Sequence, residues 1–469
     1  MTTSPKVVLP DEVSVVNVGL ALFADAIRDQ AVPVQHLDWR IPAEGDPTAI
    51  DALEQLFGVR ADAIDRANAE VVRRLDQGIP LLVDLAAAHT LVPDLSGQVL
   101  LHCGPAIAWP DVCDPLRRSL RAATVAEGWA LDVEQADRLL AAGTVRLEPA
   151  YRHDVVLPMA GAIGPSTPVF AVDNPQGGTR AFAPINQGPG ETAWFGRETP
   201  AAIDRLTFLR EVAGPMLRAV LDRSGPVDVF GLAAQGVQMG DDVHMRTQAT
   251  TSLLIRHLLP HLVDLPGDGR VELARFLSGN HLFFLNLAMA AAKAVALWAE
   301  QVEGSSIVTM MCRNGTSYGV RLAGSDQVHL AAAPPVSEAM YYPDYGPETS
   351  APDIGDSAIL ELVGLGGAAA AGSPAVAGFL GGRMSDAVAV TRQMQTICAG
   401  TSTRFTLPTW NNTGTPLGVD ARYVVDLGIT PKVTTGILHA SSGAGQIGAG
   451  VAAAPAACFR EAVVALAQT

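Results

Sequence analysis

The chain has 469 residues and a net charge of −16, with 48% hydrophobic and only 17% charged residues. This composition is typical of a well-buried globular protein of two to four domains and excludes a disordered chain. The negative charge argues against a nucleic-acid partner, because phosphate binding needs a basic surface. The five cysteines form no Cys-x-x-Cys pair, which favours free thiols in the cytoplasm over a disulfide framework or a zinc cluster.

A parallel β-α-β unit is predicted at the beginning of the chain. The hydrophobic pattern gives strands at 13–18, 32–37 and 98–102, and helices at 20–30, within 46–95 and at about 115–127. We therefore predict an α/β domain over residues 1–150. It would contain a small open parallel sheet with a helical insertion near residues 46–95.

The remaining chain is predicted to form a mixed α+β region, so the overall fold class is α/β and α+β with several domains. Residues 151–300 form a second region with buried helices, and residues 301–469 form a third, glycine-rich region. Asn314 and Gly315 separate two strand patterns and predict a hairpin. The apolar stretch 282–299 contains an asparagine and a lysine, so we expect a buried helix and no membrane partner.

The segment Gly240-Asp-Asp-Val-His-Met-Arg246 concentrates four ionisable side chains before a run of uncharged ones. The pattern predicts a helix from residue 241 to about 262 that begins with this cluster. On that helix Asp242 and Arg246 would pair at i,i+4, and Asp241 would lie on the same face as His244. Asp241, His244 and Arg246 are therefore candidate catalytic residues, although a capped helix with an acidic first turn is the alternative.

Further polar residues in apolar or glycine-rich surroundings are candidate substrate ligands. They are Asn286, Arg313, Asn314, Asp353, Asp356, Gly445, Gln446 and Gly448. Arg313 can hold an anion through its two-pronged guanidinium group, or it can simply be exposed. Two carboxylates three residues apart, at 353 and 356, can cap a helix or bind a ureide amide, but they are too few to predict a metal site.

Residues 442–450 contain a literal Gly-x-Gly-x-x-Gly pattern. A dinucleotide site also needs a β-α-β unit and an acidic residue about 20 positions further on, and neither follows here. The run instead indicates tight turns with close packing, or an anion cradle built from backbone amides. We expect no nicotinamide nucleotide and no other cofactor or metal.

Several short motifs accompany residues 240–246. They are Asn17-Val-Gly19, His36-Leu-Asp-Trp-Arg40, Phe283-Phe-Leu-Asn-Leu287, Ala290-Ala-Ala-Lys293, Arg313-Asn-Gly-Thr316, Pro352-Asp-Ile-Gly-Asp-Ser-Ala-Ile359 and Gly445-Gln-Ile-Gly-Ala-Gly450. Together these motifs resemble the AllG-type family. The resemblance extends from about residue 13 to about residue 460. One position departs from it, because the family motif usually has Asn where this chain has Met245.

The resemblance implies a subunit of oxamate carbamoyltransferase in ureide nitrogen catabolism, such as allantoin degradation. The expected reaction moves a carbamoyl group between an oxalurate-like ureide and phosphate. The expected partner is an FdrA-like subunit, related to acyl-CoA synthetases, and we also expect a homo-oligomer. Two alternatives remain open: a non-catalytic scaffold for the same complex, and a stand-alone amidohydrolase with metal ligands at Asp241, Asp242 and His244.

Overall fold

The computed structural model describes residues 13–37, 39 and 41–469, and the fold is a mixture of α and β elements, as predicted. The described residues form 17 α-helices and 18 strands in six sheets. The strands are β1 Val15–Val18, β2 Val34–Leu37, β3 Leu81–Ala87, β4 Val99–His102, β5 Arg146–Pro149, β6 Ala162–Ile163, β7 Pro168–Asn174, β8 Thr179–Pro184, β9 Val227–Asp228, β10 Val308–Asn314, β11 Ser317–Leu322, β12 His329–Ala332, β13 Val336–Tyr341, β14 Ile354–Gly355, β15 Cys398–Leu407, β16 Thr413–Val419, β17 Lys432–Leu438 and β18 Gln446–Ala453.

The helices are distributed along the whole described chain. They are α1 Ala21–Arg28, α2 Pro47–Phe57, α3 Ala61–Gln77, α4 Ala88–Leu91, α5 Asp114–Ala126, α6 Val133–Ala141, α7 Pro200–Phe208, α8 Gly214–Ser224, α9 Val229–Gln238, α10 Gln248–Val263, α11 Gly269–Gly279, α12 Phe283–Ala299, α13 Ile359–Leu362, α14 Pro374–Phe379, α15 Met384–Ile397, α16 Ala421–Leu427 and α17 Ala456–Gln468. A single π-helical turn, Leu209–Ala213, joins α7 to α8.

The β-α-β unit predicted at the beginning of the chain is present. Strands β1 and β2 pair in parallel, in the register Val15 with Val34, and α1 connects them. The strands form a sheet of their own, and many apolar side chains of the unit are exposed. Asp38 and Arg40, which belong to the resemblance, lie outside the described residues.

The stretch 46–95 contains helices α2, α3 and α4, as predicted, but also the strand β3, which was not predicted. This strand pairs with β7 and β9, because Leu82 and Leu85 are buried on the sheet and take part in its core. Strand β4 does not extend the β1–β2 sheet, as the predicted open sheet required, but pairs in parallel with β5 and antiparallel with β6. Sheet pairing therefore joins residues before and after position 150, and the division into three regions stays a prediction.

Helix α12 lies in the centre of the protein, and residues 283–296 are all buried. It packs against β7, β8 and α3, and its lysine, Lys293, is 1% exposed with its Nζ 3.5 Å from Glu300 Oε1. Within the described chain, no single helix is long and apolar enough to cross a membrane, although α11 and α12, bent by 82°, reach that length and hydropathy together. The prediction of a buried core helix is confirmed.

The last third of the chain builds the frame around the site. The hairpin predicted at Asn314-Gly315 joins β10 to β11, with β12 and β14 on its two sides. A second antiparallel sheet has the strand order β13-β18-β17, and α13 lies close to both α12 and β10. The beginning of α12, the loop before α10 and strands β17 and β18 all contribute to one cavity.

Asn68 on α3 holds this frame to the helical layer, and we expect Asn68→Ala to destabilise the fold. Its amide nitrogen donates to Ser306 Oγ at 2.8 Å and to Asp420 Oδ2 at 3.0 Å, and its oxygen accepts from Ser305 Oγ at 2.7 Å. Alanine leaves these buried groups without their partner, so the free energy of unfolding should fall by roughly 2–4 kcal/mol.

Urea denaturation measures this effect, and Arg66→Ala, at an exposed position of the same helix, is the matched control. An Asn68→Ala variant that unfolds at the same urea concentration as the control would show that these hydrogen bonds do not hold α3 in place.

Candidate functional site

The segment from Asp241 to Thr247 is a loop, and α10 begins only at Gln248. Val243 has a φ of 61° and is fully buried, a left-handed conformation that is rare for a β-branched residue. The prediction of a helix from residue 241 is therefore wrong, and so is the helical face that it placed through Asp241 and His244. Strain of this kind is usually maintained only where surrounding contacts fix it.

The carboxylate of Asp242 fixes this loop. Its Oδ1 accepts the backbone N–H groups of His244 at 3.3 Å and Arg246 at 2.7 Å, and its Oδ2 accepts that of Met245 at 3.2 Å. The hydroxyl of Thr434 on β17 donates to Oδ2 at 3.2 Å. The predicted ion pair with the Arg246 side chain is wrong, because the carboxylate is already occupied by the backbone of the loop.

Asp241 faces the first turn of α10 and not His244. Its Oδ2 accepts the backbone N–H of Thr250 at 2.8 Å and the hydroxyl of the same residue at 3.1 Å. Its Oδ1 lies 3.6 Å from Arg246 Nη1, and burial raises the pKa of this carboxyl above its ordinary value. Asp241 caps the helix and pairs with a guanidinium that is 33% exposed, so the prediction that it orients His244 is wrong.

His244 pairs instead with Glu361, a residue that the sequence analysis did not single out. Its Nδ1 lies 2.8 Å from Glu361 Oε1, and the two side chains are 3% and 0% exposed. The same oxygen accepts the backbone N–H groups of Gly367 at 3.2 Å and Thr434 at 3.1 Å. A carboxylate on Nδ1 sets the orientation of the imidazole ring and leaves Nε2 for a molecule in the cavity.

A cavity of about 290 Å³ lies beside His244. This volume is at the lower end of small-molecule sites, roughly 300–1,000 Å³. Burial lowers the pKa of His281, one of its polar wall residues, below the ordinary value. The wall is formed by Pro158, Met159, Pro189, Trp194, Phe195, His244, Met245, His281, Leu282, Leu285, Met340, Tyr342, Ser357, Gly436, Gln446 and Ala449.

Arg313 and Asp353 do not line the cavity but bind each other. The guanidinium Nε lies 2.8 Å from Asp353 Oδ2 and its second nitrogen 3.1 Å from Oδ1, with both side chains 0% exposed. Burial alone would lower the pKa of the guanidinium, but the Asp353 charge raises it above its ordinary value. Thr435 also donates to Asp353 at 2.9 Å, so the pair is a structural element of the core.

Asp356 is also held by the backbone. It accepts the N–H groups of Gly104 at 2.8 Å and Leu157 at 3.0 Å, and burial raises its pKa to about 7. Neither carboxylate oxygen of Asp356 caps a helix, and the Asp356 side chain does not line the cavity. Its neighbour Ser357 does, so Asp356 anchors the segment that delivers this hydroxyl.

Asn286 and Asn314 make hydrogen bonds within the protein. Asn286 Nδ2 donates to the carbonyl oxygen of Pro184 at 2.9 Å, and its oxygen accepts the Asn186 amide at 3.0 Å. Asn314 Nδ2 donates to the carbonyl oxygen of Pro105 at 2.9 Å, and its oxygen accepts two backbone N–H groups in the hairpin turn. Both asparagines are buried and structural in this arrangement.

The glycine run forms the turn before β18 and the first part of that strand, whose backbone pairs with β13 and β17. A Cβ on Gly448 would lie 2.6 Å from the carbonyl oxygen of Met340 on β13, so this glycine permits close strand packing. Gly445 has a φ of +87°, and a Cβ there would meet Arg197 Nε at 2.6 Å. Of the predicted residues in this run, only Gln446 lines the cavity, and its amide donates to the carbonyl oxygen of Gly448 at 3.1 Å.

Of the residues predicted from the sequence, His244 and Gln446 meet at the cavity, and the remaining ones support its surroundings. The sequence reasoning missed Glu361 and the apolar wall, including Met159, Trp194 and Leu285. The one local signal for Glu361 is a single carboxylate within Ile359-Leu-Glu-Leu-Val363, where every neighbour is apolar. A charged residue in such a run needs a buried partner.

Comparisons with known proteins agree with the resemblance. The model of the family described as "Oxamate carbamoyltransferase subunit AllG" matches residues 145–357. The chain is 37% identical to the oxamate carbamoyltransferase subunit AllG of Escherichia coli K12 over 87% of this chain and 98% of that protein. It is 35% identical to the uncharacterized protein YahG of the same organism over 96% of both chains. A crystal structure of an Enterococcus faecalis V583 protein of unknown function matches 87% of this chain and 99% of its own, with 33% identity and a TM-score of 0.85.

We expect Asp242→Ala to destabilise the protein through the loop and not through Arg246. The substitution leaves three backbone N–H groups without their acceptor, beside a strained valine. A loss of roughly 2–4 kcal/mol in the free energy of unfolding is expected. Thermal and urea denaturation measure it against Asp264→Ala, an exposed aspartate at the end of α10. Equal stability of the two variants would contradict the role of Asp242 in holding the loop.

Proposed function

Since this chain belongs to the AllG family, we propose that it is a carbamoyltransferase subunit that moves a carbamoyl group between a ureide and phosphate. The observation that carries the proposal is the buried pair of His244 and Glu361 at the wall of a cavity of small-molecule size. An imidazole with a carboxylate on one nitrogen and a cavity on the other side is the arrangement expected of a general acid and base.

The proposed reaction breaks one C–N bond and forms one C–O bond. A phosphate oxygen attacks the carbamoyl carbon, and the ureide nitrogen leaves as an amide. That nitrogen must gain a proton as it departs, and the attacking phosphate must lose one. Nε2 of His244 can transfer this proton, and Glu361 stabilises the imidazolium while it carries the charge.

Two other predicted catalytic residues take positioning roles in this proposal. Asp241 fixes the first turn of α10, and Arg246 balances its charge at 3.6 Å. Neither residue lines the cavity. We therefore keep His244 as the catalytic residue of the chain and assign the substrate contacts at the wall to Gln446 and Ser357.

The amidohydrolase alternative requires metal ligands, and the geometry of the loop opposes it. The Asp242 carboxylate accepts backbone N–H groups of the loop, and the Asp241 carboxylate accepts one from the first turn of α10. Nδ1 of His244 is hydrogen-bonded to Glu361. In the described part of the chain, no group of three His, Cys, Asp or Glu side chains is arranged to hold a metal ion. Activity measurements distinguish the non-catalytic scaffold alternative from the proposed carbamoyl transfer.

We expect His244→Ala to lower the rate of carbamoyl transfer by roughly 10²–10⁴-fold while the protein stays folded. The measurement follows carbamoyl phosphate formed from a ureide and phosphate by the chain with its partner subunit. His257→Ala, at an exposed position on α10, is the matched control. Glu361→Gln should also slow the reaction, because a neutral amide does not stabilise the imidazolium. Full activity of His244→Ala would favour the scaffold alternative.

The proposal includes an FdrA-like partner subunit, as the resemblance implies. The described unit at the beginning of the chain supports such a contact. Leu20, Leu22 and Phe23, in and beside α1, are 67%, 72% and 58% exposed. Among the residues that the structure describes, no further strand joins the two-stranded sheet packed on this helix. Exposed apolar patches of this kind mark protein interaction sites, and a sheet of two strands is rarely stable alone.

We expect Leu22→Glu to abolish co-purification with the FdrA-like subunit, because it places a charge in the apolar contact. Leu131→Glu is the matched control, since Leu131 is 91% exposed elsewhere on the protein. The measurement is affinity co-purification, with the mass of each species determined by light scattering. A Leu22→Glu variant that retains the partner, or that loses only self-association, would contradict this assignment.

A further inference from the structure

A second cavity, of about 480 Å³, shares none of its described wall residues with the cavity beside His244. Its volume is within the range of small-molecule sites, roughly 300–1,000 Å³. Helix α12 connects the two places, because Leu285 near its beginning lines the first cavity and Glu300, directly after its end, lines the second. The second cavity is therefore a separate site that the proposed carbamoyl transfer does not use.

Charged side chains of both signs form half of the wall of the second cavity. They are Arg152, Asp154, Glu300, Arg321 and Asp326. Two guanidinium groups oppose a ligand that is only a cation, and three carboxylates oppose a ligand that is only an anion. The wall therefore matches a ligand that carries both charges, since complementary charges are what determine specificity.

Glu300 lies between two cations at this wall. Its Oε2 is 2.5 Å from Arg321 Nη2, and its Oε1 is 3.5 Å from Nζ of Lys293, which is 1% exposed. Within the described chain, Lys293 Nζ, Glu300 Oε1 and Arg321 Nε make no hydrogen bond. Buried polar atoms normally have a partner, and one carboxylate here faces two positive charges. This part of the wall can therefore accept a further negative group.

The backbone holds Asp154 in place, which leaves its carboxylate available to the cavity. The residue ends the short helical turn Ala150–His153 with a φ of 55°, and its carbonyl oxygen accepts the N–H of Phe182 at 2.9 Å. Burial raises the pKa of the Asp154 carboxyl, while the charges of Lys293 and Arg321 lower it. A cation on a ligand would stabilise this carboxylate.

We propose that the second cavity binds an α-amino acid with an aliphatic side chain, held as a zwitterion. The α-carboxylate lies against the guanidinium group of Arg321, whose planar fork matches two oxygens. The α-ammonium group lies against Asp154. The aliphatic side chain packs on the apolar part of the wall, to which Pro105, Val328 and Leu330 contribute.

L-Leucine and two analogues test whether both charges are recognised. 4-Methylpentanoate lacks the ammonium group of leucine, and 3-methylbutylamine lacks its carboxylate. Isothermal titration calorimetry of the full chain gives the three dissociation constants. Leucine should bind at least about 10-fold more tightly than either analogue, because each analogue loses one hydrogen-bonded charge pair.

Asp154→Asn removes the partner of the ammonium group and keeps the fold, because asparagine readily adopts a positive φ. The variant should weaken leucine by about 10-fold or more and leave 4-methylpentanoate unchanged. Asp94→Asn is the matched control, because Asp94 is exposed, has a φ of 60° and lines neither cavity. This control should bind leucine like the unaltered protein.

Arg321→Lys tests the other end of the ligand. Lysine keeps the positive charge beside Glu300 but lacks the planar fork, so leucine and 4-methylpentanoate should bind more weakly. 3-Methylbutylamine should bind as it does to the unaltered protein.

The absence of saturable leucine binding up to about 10 mM, a very weak affinity, would overturn the inference. Equal affinities for leucine and its two analogues, or unchanged leucine binding in Asp154→Asn, would also overturn it. These measurements involve neither turnover nor the partner subunit, so their failure would leave the proposed carbamoyl transfer at His244 intact.

Discussion

The buried carboxylate of Glu361 joins three segments that are far apart in the chain. A single oxygen accepts from His244 Nδ1 at 2.8 Å and from the backbone of Gly367 and Thr434. Gly366, with a φ of +58°, passes so close that a Cβ would lie 2.1 Å from this oxygen. The loop before α10, the glycine-rich turn after α13 and strand β17 therefore meet at one carboxylate. The donors to this one oxygen stabilise the buried carboxylate, although its second oxygen, Oε2, has no hydrogen-bond partner anywhere in the described chain.

Hydrogen bonds to backbone groups explain why several predicted ligands are structural. The carboxylates of Asp241, Asp242 and Asp356 each accept backbone N–H groups from loops or helix ends. Such bonds require no particular side chain on the donor, so sequence patterns do not reveal them. The sequence correctly indicates buried polar residues in these motifs. It does not tell whether their partners are ligands, side chains or the polypeptide itself.

Local patterns predicted local structure well, and long-range pairing accounts for the errors. The β-α-β unit and the hairpin at Asn314-Gly315 are determined by residues close in sequence, and both are present. The helix predicted from residue 241 does not form, because the Asp242 carboxylate accepts backbone N–H groups of the loop. This carboxylate also accepts the hydroxyl of Thr434 on β17, 192 residues further along the chain. Strand β3 was not predicted within the mainly helical stretch 46–95, because its pairing partners β7 and β9 lie far away in the sequence. Glu361 lies 117 residues from His244, so no spacing rule connects them.

The way in which the loop is held also explains how the cavity can vary without loss of the fold. Asp242 accepts the backbone N–H of Met245, and this bond is available to any residue except proline. The Met245 side chain itself forms part of the cavity wall. The backbone hydrogen bond therefore fixes position 245, while different side chains can occupy it. The resemblance gives Asn at this position as the usual residue of the family, and replacing an amide by a thioether removes hydrogen-bonding capacity from the wall. The loop thus separates the support of His244, which Asp242 and Glu361 provide, from the chemistry of the cavity wall, to which the side chain at position 245 contributes.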